Sequence, residues 1–173
     1  EVAKKIKVHH EENGGMSRYE KLPIYLDLVG ENPSSDLICK YERKFSKLVK
    51  NRVIKSPWVK GVLEYLKKNI QNQRFFLVTA TPQKEIEEIL KKLRISRYFD
   101  KVIGSPTKKK DALKSLIKKE KIDINHSIMI GDSNSDYEAA KDNQVDFIFR
   151  KTDLNKKLQM KLKCQMIDNF YDG

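Results

Sequence analysis

The residues best suited to chemistry lie in an acidic turn at residues 131–136, whose sequence is GDSNSD. The turn follows a mostly apolar run, 126–130, which predicts a short buried strand, and it precedes a predicted helix. Gly131 allows a sharp turn, so the carboxylates of Asp132 and Asp136 converge where the strand ends. Open α/β sheets bind ligands at such strand ends, and paired hard oxygen ligands suit Mg²⁺. On this stretch alone an alternative stays open, in which Asp132 caps the helix and Asp136 is solvated in its first turn.

Two further polar groups follow predicted strands, as the acidic turn does. Thr79 and Ala80 follow an apolar strand predicted for 75–78, and the lysines at 108–110 follow a strand predicted for 101–103 and its closing turn. Because the carboxyl ends of parallel strands meet at one edge of a sheet, we expect a hydroxyl, an ammonium and two carboxylates to meet there. Phosphoryl transfer uses this set: the hydroxyl and the ammonium bind phosphate oxygens, and the carboxylates hold the metal ion.

The elements that must position these groups alternate between helices and strands from residue 55 onward. The prediction depends on apolar stripes at helical spacing and on short apolar runs bounded by turn residues. Such alternation is typical of a three-layer α/β fold with a parallel sheet. The predicted helices cover 57–70, 81–93, 112–117, 137–141 and 154–162, and the predicted strands cover 75–78, 101–103, 126–130 and 145–149.

Residues 1–54 are predicted to form a separate helical unit, and residues 55–173 the α/β core. Helices are predicted over 2–13, 18–28 and 36–49. Ser17 and Glu20 fit a capping box at the start of the second helix, and Pro23 is expected to bend it. The hydrophobic period changes after Lys55, which places the predicted boundary there.

The composition describes a highly charged protein of 173 residues, enough for one domain or for one core with a smaller accessory piece. No apolar run approaches the roughly 18 residues of a membrane span, so no membrane partner is expected. Cys39 and Cys164 are far apart, and we expect a cytoplasmic location.

The net charge of +12 comes mostly from lysines spread along helices without interleaved aromatic residues. This pattern argues against nucleic-acid binding, and a basic nucleic-acid-associated protein is kept only as an alternative.

These motifs together resemble those of the haloacid dehalogenase superfamily. Residues 77–82 (LVTATP) are similar to its second motif, 104–111 (GSPTKKKD) to its third, and GDSNSD to its fourth. Residues 10–21 (HEENGGMSRYEK) are similar to a helical cap segment of phosphoglycolate-phosphatase-like members. The resemblance implies a Rossmann-like core with a small helical cap. It also implies Mg²⁺-dependent hydrolysis of small phosphorylated metabolites through an aspartyl-phosphate.

The resemblance gives each motif residue an expected role. Thr79, with Ala80, would bind a phosphoryl oxygen. One of the lysines at 108–110 would stabilise the nucleophile and the phosphate, and the spacing from the neighbouring motif residues favours Lys109. Asp132 would ligate Mg²⁺ directly, and Asp136 directly or through water.

The cap residues Arg18 and Lys21 could contact the anionic end of the substrate. The alternative stays open that both are ordinary charged residues at the protein surface.

One family motif is absent from this sequence, the DxDGT or DxDGV that carries the nucleophilic Asp and the acid/base Asp. Asp27 lies within a predicted helix and lacks the second Asp, so it does not substitute. In the family, this motif ends the first strand, which is central in a sheet of order 3-2-1-4-5. We therefore expect a core without that strand, no activity from the chain as written, and self-association or a complementing segment in the strand's place. The alternative is a non-catalytic relative that acts through binding.

Overall fold

The computed structural model describes residues 1–171, which form an α/β fold as predicted. No helix in this part of the chain is both long and apolar enough to cross a membrane. The helices are α1 (Val2–Glu12), α2 (Arg18–Leu28), α3 (Ser35–Lys55), α4 (Val62–Asn69), α5 (Gln83–Lys92), α6 (Lys109–Lys119), α7 (Asn134–Asp142) and α8 (Lys156–Lys161). The strands are β1 (Phe76–Pro82), β2 (Lys101–Ser105), β3 (Ile128–Gly131), β4 (Asp146–Arg150) and β5 (Gln165–Ile167).

The strands pair in parallel, but the described residues form two sheets instead of one. β1 pairs with β2, and β4 lies between β3 and β5 in a sheet of three strands. Among the described residues, the end strands β1, β2, β3 and β5 therefore each have one edge without a strand partner. The short strand β5 was not predicted, because its three residues carry too little pattern to be distinguished from a loop.

Helices connect the two sheets. α6 and α7 pack side by side through small and branched side chains that are almost fully buried: Ala112, Leu116, Ala139 and Ala140. A second cluster covers the β1–β2 sheet with side chains from α4, α5 and the segment after α5: Leu66, Ile86, Ile89, Leu90, Ile95 and Tyr98. Helices thus pack against both sheets, since α5 contacts β1 and β2, and α7 contacts β3 and β4.

The first 55 residues contain three helices and no strand. Ser17 and Glu20 make both hydrogen bonds of the predicted capping box, and Pro23 lies inside α2. The predicted division between residues 54 and 55 stays a prediction. α3 continues through this point to Lys55, and both α2 and α3 contact α5 of the core.

One predicted helix start was wrong. The helix predicted over 57–70 was expected to begin at Pro57, but Ser56 is the C-cap of α3, and α4 begins only at Val62. The Ser56 hydroxyl donates to the Arg52 carbonyl, and a residue before proline avoids helical backbone, so the pair acts as a stop signal.

Candidate active site

The acidic turn is built by the junction of β3 and α7. Ser133 is the N-cap of α7 and forms a capping box with Asp136, whose carboxylate accepts hydrogen bonds from the Ser133 hydroxyl at 2.6 Å and from its N–H at 3.2 Å. A Cβ atom on Gly131 would overlap the Asp136 side chain, so only glycine allows this close approach.

The alternative in which Asp132 caps the helix is therefore wrong for this turn. Ser133 fills the cap position, and Asp136 is 5% exposed instead of solvated.

The structure brings Lys109 and Asp136 into contact. The Lys109 ammonium lies 2.7 Å from an Asp136 carboxylate oxygen and 3.3 Å from the Ser133 hydroxyl. Its two neighbours in the lysine run are exposed, and Lys110 instead pairs with Asp142, which raises the pKa of Lys110. Of the three lysines, Lys109 is the one whose charge reaches the acidic turn.

The oxygen donors present have the right chemistry for Mg²⁺ but do not complete a site. Asp132 is exposed at the end of β3, and its main-chain carbonyl accepts a hydrogen bond from Asn155. The Asp136 carboxylate is already bonded to Lys109 and Ser133. Within residues 1–171 no group of three or more His, Cys, Asp or Glu side chains could hold a metal ion. A bound Mg²⁺ would thus need further oxygen ligands beside these two carboxylates.

Thr79 and Ala80 lie near the carboxyl end of β1, where the pairing with β2 becomes irregular between Val78 and Pro82. The Thr79 hydroxyl accepts a hydrogen bond from the Thr81 N–H at 3.1 Å. In the described part of the chain, no hydrogen bond joins Thr79 to Lys109 or to the acidic turn.

The two cap residues predicted to bind substrate differ in their surroundings. Arg18 makes a two-pronged ion pair with Glu85 of α5, with both N–O distances at 2.8 Å, and also donates to Ser46 of α3. Lys21 is equally buried, yet its ammonium makes only a long hydrogen bond of 3.5 Å to the His10 carbonyl within residues 1–171. The charge of Arg18 is thus already neutralised by the core, whereas that of Lys21 is not.

Sequence reasoning missed the contact between the N-terminal helices and the acidic turn. The Gly15 carbonyl accepts a hydrogen bond from the Ser135 hydroxyl at 3.2 Å, and a Cβ atom on Gly15 would overlap the hydroxyls of Ser133 and Ser135. The two consecutive glycines at 14 and 15 were the available signal in the sequence. Glu85 was also missed, since an acid in the first turn of a helix is common.

Comparison with known proteins identifies the family. Residues 16–149 match the sequence profile of the haloacid dehalogenase-like hydrolases. The chain belongs to this family. The match runs from the turn before α2 into β4, so it includes the candidate site residues Arg18, Lys21, Thr79, Ala80, Lys109, Asp132 and Asp136.

Two curated relatives are phosphatases of small molecules. The chain is 37% identical over 90 residues to a phosphoglycolate phosphatase of Pseudomonas fluorescens, covering 49% of this chain and 32% of that protein. It is 30% identical over 141 residues to a phosphorylated carbohydrates phosphatase of Thermotoga maritima, covering 78% of this chain and 64% of that protein. The chain thus spans between about a third and two thirds of these relatives' length. The resemblance to phosphoglycolate-phosphatase-like members of the superfamily is confirmed.

Solved structures of the superfamily share the fold. A family IA hydrolase from Entamoeba histolytica matches 93% of this chain and 76% of its own, with a TM-score of 0.76 and 18% identity. A predicted phosphoglycolate phosphatase from Haemophilus somnus 129PT matches 96% of this chain and 79% of its own, with a TM-score of 0.74 and 17% identity. These matches confirm the predicted α/β core with helical elements.

Proposed function

We propose that this chain forms most of the active site of a Mg²⁺-dependent phosphatase of small phosphorylated metabolites, and that a further strand supplies the nucleophilic carboxylate. The family and the phosphatases among its relatives support the reaction class. The observation that carries the proposal is the largely buried contact of Lys109 with Asp136 and Ser133, at the carboxyl end of β3. This contact holds an ammonium where a phosphoryl group would be bound.

Lys109 retains binding capacity in this arrangement. A lysine ammonium has three N–H donors, and two of them are directed to Asp136 and Ser133. The third is available for a phosphoryl oxygen, with the Thr79 hydroxyl as its proposed partner on β1. Mg²⁺ bound by Asp132 and Asp136 would supply neutralisation of the phosphoryl charge.

The two sheets leave free edges on β1, β2, β3 and β5, and we propose that a further strand joins the sheets by pairing with β1 and β3. Parallel sheets are normally covered on both faces, and an unpaired apolar edge is a template for another strand. Ile128 and Ile130 of β3 are instead 59% and 40% exposed. A parallel strand placed here would end beside Lys109, and a carboxylate at its end would also add a metal ligand.

We further propose that the chain alone hydrolyses phosphate esters poorly. No nucleophile of the family's first motif is present in its sequence. Loss of a nucleophile that works within a catalytic unit costs on the order of 10⁴–10⁶ in rate.

The test is p-nitrophenyl phosphate turnover with Mg²⁺, measured for the chain alone and with an added peptide that carries an apolar strand ending in DxDGT. The matched control is the same peptide with Asn in place of the first Asp. We expect Mg²⁺-dependent turnover with the first peptide only, and its loss in the Asp132→Asn variant. Turnover of several per second by the chain alone, abolished by Asp132→Asn, would contradict the proposal. Tight binding of the peptide and of phosphate without turnover would favour a non-catalytic binding protein.

We also propose a cytoplasmic location, because Cys39 and Cys164 are both free thiols. Fractionation of cells that express the protein tests this directly.

A further inference from the structure

We infer that the solvent-facing side of α3 binds the phosphate backbones of double-stranded DNA. This second activity does not depend on the proposed phosphatase, because none of the residues involved belongs to the candidate active site. The surface is the basic face of α3, which consists of six exposed side chains: Lys40, Arg43, Lys44, Lys47, Arg52 and Lys55.

The concentration of positive charge along one helix is the first support. Residues 40–55 contain seven Lys or Arg residues and a single acid, Glu42, so this segment supplies +6 of the net charge of +12. The sequence shows lysines on many helices, but the structure shows that those of the basic face share one exposed side of α3. A basic stripe along one helix is the electrostatic footprint of nucleic-acid binding.

The absence of acidic partners for this charge is the second support. Within residues 1–171, the only ion pair of α3 joins Lys50 to Glu88 of α5, and Lys50 is not on the basic face. By helical spacing Glu42 lies on the same side of α3 as Phe45, whose ring stacks with Arg18 of α2. No carboxylate of the described residues therefore neutralises the basic face, and a polyanion would do so.

The spread of the charges around the helix favours a duplex groove over a flat membrane. Arg43 and Arg52 lie nine residues apart, so they project about 180° apart, and the four lysines lie between them. A flat lipid surface contacts a helix along one line, whereas the two backbones of a groove contact both of its flanks. The major groove of B-DNA is about 12 Å wide and admits an α-helix, and the basic face is about 22 Å long.

The few apolar side chains on this side of α3 also favour a duplex. Tyr41 and Leu48 are 40% and 67% exposed, but the other large apolar side chains facing this region pack toward α2 and α5. A membrane-surface helix needs a broad free apolar face. A single strand needs several aromatic rings for stacking, and on the exposed side of Ser35–Lys55 Tyr41 is the one aromatic residue, with the Lys44 ammonium 5.7 Å from its ring centroid.

The experiment measures the affinity of the chain for a labelled duplex of roughly 20 base pairs by fluorescence anisotropy, with KCl from about 0.05 to 0.2 M. The test variant combines Lys40→Gln, Lys44→Gln and Lys47→Gln on the basic face. Unlabelled single-stranded DNA and vesicles of phosphatidylserine and phosphatidylcholine serve as competitors of the duplex.

The matched control removes the same total charge from exposed lysines of α4, α5 and α6: Lys67→Gln, Lys91→Gln and Lys118→Gln. Circular dichroism checks that both triple variants are folded. Because the two variants have the same net charge, any difference between them reports where the charges lie.

We expect wild type to bind the duplex more tightly than either competitor, with an affinity that falls as salt rises. The variant of the basic face should weaken binding on the order of a hundredfold at about 0.1 M salt, and its salt slope should fall by roughly one for each lysine removed. The control variant should keep most of the affinity and of the slope. Equal losses in the two variants, no duplex binding by wild type, or stronger binding of a competitor would each overturn the inference.

Discussion

Two buried ion pairs of the chain have nearly the same geometry but different surroundings. Lys109 and Asp136 are 2.7 Å apart in the α/β core, and Arg18 and Glu85 are 2.8 Å apart between α2 and α5. The Asp136 carboxylate also accepts two hydrogen bonds from Ser133. The Glu85 carboxylate has only Arg18 as a hydrogen-bond partner within residues 1–171.

The surroundings of the Lys109–Asp136 pair are therefore local in sequence, whereas the Arg18–Glu85 pair connects distant parts of the chain. Asp136 is held by hydrogen bonds within its own helix turn, so we expect the acidic turn to keep its shape when the Lys109 ammonium is removed. The hydrogen-bond partner of Glu85 lies 67 positions away in sequence. The Glu85 carboxylate therefore keeps this partner only while α2 and α3 pack against the core. In the proposed site the first pair would bind a ligand, whereas the second pair connects α2 to α5.

The largest effect is expected for Arg18→Ala. This change leaves Glu85 buried without a partner and removes the stacking of Arg18 on Phe45, so the free energy of unfolding should fall by about 3–5 kcal/mol. Urea denaturation of Arg18→Ala, Glu85→Ala and the double variant measures the coupling between the two residues. If the double variant loses as much unfolding free energy as the two single variants together, the two residues are not coupled.

A smaller loss is expected for Lys109→Met, because Ser133 still donates two hydrogen bonds to Asp136. The free energy of unfolding should fall by about 2–3 kcal/mol, while the affinity for inorganic phosphate is lost. Lys110→Met is the matched control, since Lys110 pairs with Asp142 at the surface. The comparison of the two ion pairs would be wrong if Lys109→Met lowered the free energy of unfolding more than Arg18→Ala does.

Gly15→Ala tests the contact between the N-terminal helices and the acidic turn. Its Cβ atom would overlap two serine hydroxyls, and the resulting overpacking should cost about 1–2 kcal/mol of unfolding free energy. Gly14→Ala is the control, because a Cβ atom there meets nothing within 4 Å. Equal stabilities of the two variants in urea denaturation would show that Gly15 is not held against the turn.

The smallest effect, of opposite sign, is expected for Lys21→Met. Burial lowers the pKa of Lys21 below its usual 10.5, so the unfolded chain binds more protons than the folded chain in the pH range just below 10.5. The contribution of Lys21 to the free energy of unfolding of the wild type therefore rises with pH through this range, and it becomes less favourable as the pH falls. At pH 7 the variant should be more stable, because it no longer buries a charge, and this advantage should shrink toward pH 10.5. A difference that is constant with pH, measured by urea denaturation, would show that Lys21 is not buried as a charge.

The sequence by itself determined the local features of the chain. Strands and helices alternate as the apolar periods predicted, and the capping box of Ser17 and Glu20 is present where the pattern placed it. The motif residues of the acidic turn were also identified correctly as one unit at the end of β3. These features depend on side chains within one or two helical turns of each other, and such short-range interactions are encoded directly by sequence spacing.

Only the tertiary structure decided how distant residues are paired. It assigned Glu85 to Arg18, brought Gly15 against Ser135, and left Lys21 buried without a charge partner. It also separated the strands into two sheets with free edges on β1 and β3. Ser56 and Pro57 show the same limit, since the pattern fitted both a helix start and a helix stop. Such outcomes depend on which elements pack together and on which charges remain uncompensated after packing, and spacing along the chain does not record either.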